Sequence, residues 1–232
     1  MLLTLIDWHF IAGALTIILI DLLLAGDNAV VIALAVRRLP KKQRWTGITL
    51  GAGLAVILRV GLTFFAARLL QISFLQLIGG ALILWIAVKL FADADPKAKV
   101  AGADQFWRAI RFIVIADITM SIDNILAIAA ASKGNMYLLI FGLGLSIPLV
   151  IFTSGLLSML MDRYRFIIYL GAAILGKVAA EMIMTDSYVV KTFHPSPFVQ
   201  YCVEALTALG VIVAGKLISR KAEKDAAYQD RP

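Results

Sequence analysis

Cysteine, histidine and charge are all scarce in this chain. A single cysteine, Cys202, excludes an intrachain disulfide, so the redox compartment is not legible. The two histidines, His9 and His194, lie near the ends of apolar blocks and read as interfacial residues; with no Cys/His cluster, a zinc site of the ordinary kind is excluded. Charged residues make up 16% of the chain against 61% hydrophobic, where soluble domains run at about 45–50% apolar. With a mean hydropathy of +0.91, most of the chain is unsuited to a water-facing surface. No phosphate-binding glycine loop, nucleophile elbow or catalytic triad is present, and the loops are too short for a phosphorylation domain. The expectation is therefore neither an enzyme nor an ATP-driven pump, with no resident cofactor. Met1–Phe10 holds no Lys or Arg and carries Asp7, and the apolar run after it is too long for a secretory signal core.

What is abundant is hydrophobic sequence in blocks long enough to cross a bilayer, which takes about 20 residues each. Seven blocks run at about 10–36, 45–68, 73–91, 107–131, 137–160, 165–185 and 199–218. They are separated by loop-like sequence such as ADADPKAKVAGADQ, KGN, MDRYR and KTFHPSP. The net charge of +7 sits in these short loops, as membrane orientation demands, and gives no support to a nucleic-acid partner. With the N-terminus outside, sixteen Lys and Arg fall on the inner side and three (Arg68, Lys133, Lys191) on the outer. That bias predicts seven transmembrane helices, the C-terminus in the cytoplasm and a charged, frayed tail over 219–232. The expected fold is an all-α polytopic membrane protein, a single transmembrane domain over 1–232.

The sequence also repeats itself. Residues 21–28 read DLLLAGDN and residues 117–124 read DITMSIDN, both Asp-x5-Asp-Asn. GAGL at 51–54 matches GLGL at 142–145, and LIGGALILWIAVK matches YLGAAILGKVAAE, with Gly79 opposite Gly171. Each copy, about 9–91 and about 107–186, holds three blocks. An odd number inverts the second copy across the membrane, as in many secondary transporters with a midplane site, and leaves the block at 199–218 as a seventh helix outside the repeat.

Asp21, Asp27, Asp117 and Asp123 thus lie within spans, where insertion scales put a charge at roughly 2.5–3.5 kcal/mol. A bound cation is one reason to keep them; charge pairs that hold helices together are the competing reason. At 100° per residue Asp21 and Asn28 share a helix face and Asp27 points away, so convergence needs a break, and Gly26 is placed to allow it. The second copy has Ile122 there, so its break is expected to be smaller or absent. Four carboxylates with Asn28 and Asn124 form an all-oxygen set suited to Mg, Ca or Mn. Adjacent carboxylates also make proton coupling an expectation. Met120 and Ser121 border the second motif. The Met120 thioether favours Mn over Mg or Ca, unless it merely fills space. Of the other intramembrane ionisable residues, Lys89 lies near a cytoplasmic end and can snorkel. Lys177 and Glu181, at i and i+4, are read as an internal pair that is either structural or neutralises or gates the acidic site. Arg59 is expected to face protein or water, an aspartate among the candidates, and Glu204 to stand alone near the outer end.

On DLLLAGDN and DITMSIDN, with GGALILWIAVKLF and GKVAAEM, the chain resembles the TerC family over about Asp7 to Ser219, in its short bacterial form. That resemblance implies a seven-span exporter of manganese in the bacterial inner membrane. It implies family motif residues at Asp21, Gly26, Asp27 and Asn28 and at Asp117, Asp123 and Asn124. Small-residue runs such as GAGLA leave a homo-oligomer open. Export of calcium or of a basic amino acid, and a non-transport role in membrane-protein assembly, are the rival readings.

Overall fold

The computed structural model describes residues 8–24, 26–65, 72, 74–93, 103–132 and 135–229, without the side chains at 8–10, 22–24, 103, 123, 125, 126, 129, 130 and 221–229. Among the described residues all regular structure is helical. The helices are α1 (Trp8–Leu24), α2 (Gly26–Val36), α3 (Lys41–Phe64), α4 (Leu75–Asp93), α5 (Ala103–Ser132), α6 (Met136–Arg163), α7 (Phe166–Thr185), α8 (Ser187–Phe193) and α9 (Pro197–Gln229). Long runs of Leu, Ile, Val and Ala make most of them apolar around the whole circumference, as buried or lipid-facing helices are.

Helix ends follow local chemistry. The Asn135 side chain accepts from the Leu138 amide and caps α6. Buried Asp186 accepts from the Tyr188 amide, capping α8, and from the Leu77 amide at the start of α4. Asp186 therefore ties the end of α7 to the beginning of α4.

Four of the helices satisfy the length and apolarity of a membrane span outright: α3, α4, α6 and α7; the Pro197–Arg220 part of α9 is the fifth. The first apolar block, read from sequence as one span, is two helices, and the axes of Ile11–Asp21 and Gly26–Val36 meet at 55°. Taken as one broken span, they bring the number to six. The second motif lies on α5, which continues unbroken through Ile122 for 30 residues. The tail expected to fray is instead helical through Gln229, because RKAEKDAA is composed almost wholly of good helix formers. Part of the loop expected after 185 forms α8.

Packing is closest where glycine removes a side chain. A Cβ at Gly80 would stand 2.6 Å from the Ala179 carbonyl oxygen, so α4 and α7 approach backbone to backbone. At Gly176 a Cβ would meet the Ala208 Cα at 2.8 Å, which brings α9 equally close to α7. The main core is built from Val30–Val36 of α2 with Ile83, Ile86, Ala87, Ile113, Ala116, Leu175 and Ala179. α2 is thus surrounded by the other helices, and the Asp-Asn pair at its start is carried into the interior.

Candidate functional site

The polar centre is organised by Arg59 of α3, which is only 3% exposed. Its guanidinium donates through Nη1 to Asp21 Oδ1 at the end of α1. Nη2 donates to Asp117 Oδ1 of α5 at 2.5 Å. Nε donates to Ser121 Oγ at 3.0 Å, and that hydroxyl donates to Asp117 Oδ2 at 3.2 Å. One turn of α5 separates Asp117 from Ser121, so both face α3. The first aspartate of each motif is therefore joined to the other through one cation, and the competing reason for keeping a buried carboxylate is realised at both. The cluster of two carboxylates and one guanidinium keeps one net negative charge inside the bundle.

The second half of the first motif is different. Asp27 stands in the first turn of α2, where its Oδ1 accepts from the Asn28 amide at 2.9 Å. Among the described residues it has no ion pair, and it lies close enough to Arg59 and Glu181 to feel both charges. Asn28 is 4% exposed, and among the described residues neither its Oδ1 nor its Nδ2 has a hydrogen-bond partner. Asp21 Oδ2 is also buried and unpartnered. Buried amides and carboxylates are nearly always satisfied, and leaving one unmade costs about 1–3 kcal/mol. These three atoms, two oxygens and one amide nitrogen, lie on two consecutive helices either side of the break and have no partner among the described residues. Asn124 is buried on α5, one turn below the Arg59 contacts, and the Asp123 side chain lies outside the described residues. Among the described residues no three His, Cys, Asp or Glu side chains converge as a metal cluster. Arg59 stands between Asp21 and Asp117.

Gly26 does not sit in a left-handed conformation, and a Cβ there would meet nothing within 4 Å. Its part in the break is its low helix propensity. Met120 is 4% exposed and belongs to the apolar core, which fits a packing role. Lys89 is exposed on α4. Lys177 Nζ meets Glu181 Oε2 at 2.8 Å, the pairing read from the i, i+4 spacing. Glu204, expected to stand alone, is 5% exposed; it accepts from Gln200 at 3.1 Å and lies 3.7 Å from Lys177. The close approach of α9 to α7 at Gly176 brings it there.

Two features were not read from sequence. Asp93 is held by Arg38 and Arg108, and Asp162 by Arg37 and Arg44, so α2, α3, α4, α5 and α6 are pinned together at one end of the bundle. On α6, Ser154 and Ser158 are buried with unpartnered hydroxyls. Their only sequence signal was an i, i+4 pair of serines in an otherwise apolar run.

A bundle of long apolar helices around a buried charged centre is an integral, multi-pass membrane protein. Residues 6–223 match the integral membrane protein TerC family, and the chain belongs to that family. It is 40% identical over 208 residues to the uncharacterized membrane protein YjbE of Bacillus subtilis, covering 90% of this chain and 95% of that one. It is 30% identical to the uncharacterized membrane protein YkoY of the same organism over 66% of this chain and half of that one. With the UPF0053 inner membrane protein YoaE of Escherichia coli it shares 23% identity over 77% of this chain and 38% of that one. No solved structure matches.

Proposed function

We propose that the chain is a secondary transporter that exports a divalent metal ion, Mn2+ foremost, through the broken-helix site between the two acidic motifs. The observation that carries this is the unpartnered, buried Asn28 amide beside Asp27 and the free Asp21 Oδ2. These are hard oxygen donors, the class that binds Mg, Ca and Mn. The break after α1 also frees carbonyl oxygens at a half-helix end, the arrangement by which discontinuous spans hold cations. Asp123 and Asn124 complete the ligand set in this reading. Four carboxylates and Arg59 sum to three negative charges. One divalent ion leaves one, a surplus that one proton cancels, so exchange of the ion against protons fits.

A seven-span, inverted-repeat architecture supports transport. α5, with 30 residues and about 45 Å of length, serves as the remaining span. A Cβ at Gly51 would meet Ile113 at 2.7 Å, and one at Gly142 would meet Ile17 at 2.7 Å. Gly51 and Gly142 are repeat equivalents, as are Ile17 and Ile113, so the two copies make the same contact. α3 packs on α5 as α6 packs on α1, and α4 packs on its own counterpart α7. The end that gathers Arg37, Arg38, Arg44 and Arg108 is the cytoplasmic end by charge bias, in a bacterial inner membrane, with the N-terminus outside.

The test is cellular manganese in cells lacking their own exporters. Native chain should lower it, and Asp27→Asn or Asp123→Asn should abolish the effect at equal membrane expression. Manganese unchanged while calcium or another cation falls changes the substrate. No ion moved, or full activity in both variants, overturns the site.

A further inference from the structure

We infer that the ion travels between the site and the cytoplasmic end along the seam of α2 and α6, over the hydroxyls of Ser154 and Ser158. This rests on the transport reading above and adds the route.

Hydroxyls buried in membrane helices ordinarily donate to the carbonyl one turn back. Buried Thr63 and Thr119 do so at 2.7 Å, as do the exposed Thr16 and Thr185 at 2.8 Å. Ser146 of α6 donates to the Leu143 carbonyl at 2.8 Å. Ser154 and Ser158, 0% and 3% exposed, have no hydrogen-bond partner among the described residues. They lie one turn apart on the face that also carries Met161. That face looks toward α2, since Met161 converges with Val30 and Leu34 of α2 around Gly171.

The two ends of the seam differ in kind. At the end within the bundle α2 presents Asp27 and Asn28. At the cytoplasmic end Arg37, in the turn that follows α2, lies 3.8 Å from Asp162 of α6, and Arg44 also holds that carboxylate. Asn28 precedes Arg37 by nine residues and Ser154 precedes Asp162 by eight, so each lies about 12–14 Å along its helix from the mouth. A seam with a cation site at one end, a partly exposed acid at the other and two free hydroxyls between them suits a partly dehydrated divalent ion. Each hydroxyl oxygen replaces a water of hydration, and Asp162 gathers the ion once Arg37 and Arg44 release it. This structure has the mouth closed by those two arginines.

The experiment uses full-length protein in liposomes with Mn2+ as the probe. Wild type is compared with Ser154→Ala, Ser158→Ala and the double variant for initial flux and thermal midpoint. A route predicts a flux about tenfold lower in the double variant with a midpoint unchanged or raised, because orphan hydroxyls have been removed. A purely structural pair moves the midpoint and leaves the flux alone. In a Cys202→Ser background, a small cationic thiol reagent added on the side of the C-terminus should modify Ser158→Cys, with Mn2+ slowing the reaction. It should not modify lipid-facing Phe152→Cys. Wild-type flux with a double variant within twofold of it overturns the route and leaves the transport reading standing. So does a Ser158→Cys that stays unmodified. A wild-type chain that moves no divalent ion overturns both.

Discussion

Replacing Arg59 with methionine removes the one cation that serves two buried carboxylates. Asp21 is fully buried and Asp117 6% exposed, so neither gains water when the guanidinium goes. Deleting one partner of a buried ion pair costs about 3–5 kcal/mol, because the remaining charge is left uncompensated. At 2–4 °C per kcal/mol for a chain of this size, the thermal midpoint should fall by roughly 6–20 °C. The triple variant Arg59→Met, Asp21→Leu, Asp117→Leu replaces the whole ionic set with apolar groups of similar size, an exchange that is often neutral in buried triads. It should recover most of the loss. The assay is the midpoint of tryptophan fluorescence or of a thiol-reactive probe in detergent, at constant protein and salt. An Arg59→Met chain within about 1 °C of wild type would mean that the two acids are not held by this guanidinium. A triple variant no better than the single one would mean that Arg59 acts through packing.

Other substitutions separate binding from architecture. Asn28→Leu should leave the thermal midpoint unchanged or raised, since it removes an amide without partners, yet abolish Mn2+ flux; a loss of more than about 1 kcal/mol would show that the amide has a partner in the protein. Gly26→Ala has open space and gains about 1 kcal/mol of helix propensity, so it should raise the midpoint while slowing flux by favouring a straight first span. Gly80→Ala drives a methyl group onto the Ala179 carbonyl and should cost about 1–3 kcal/mol, measured as midpoint and folded yield.

The acidic motifs were legible because carboxylates are rare in apolar blocks, and their spacing could not converge on one straight helix. The break does fall beside Gly26, and of the two outcomes that Ile122 left for the second copy, a smaller break or none, α5 has none. What stayed hidden depended on separation along the chain. Arg59 was visible as a charge, but the sharing of one guanidinium by Asp21 and Asp117 depends on how α1 and α3 both pack against α5. Glu204 looked isolated because Lys177 lies 27 residues away on a helix brought close only by Gly176. Ser154 and Ser158 were indistinguishable from ordinary serines of a membrane helix until their missing carbonyl bonds could be seen. The tail was misread because charge was taken as a sign of fraying, although its residues favour a helix.

Transport through the Asp27 site is tested most directly by Mn2+ flux into liposomes containing purified protein, read by a trapped metal-sensitive dye, for wild type and Asp27→Asn. The expected result is saturable flux for wild type and none above empty liposomes for Asp27→Asn, with equal reconstitution and equal thermal midpoints. Equal flux from the two proteins would contradict the site, and no flux of any divalent ion from wild type would contradict the transporter.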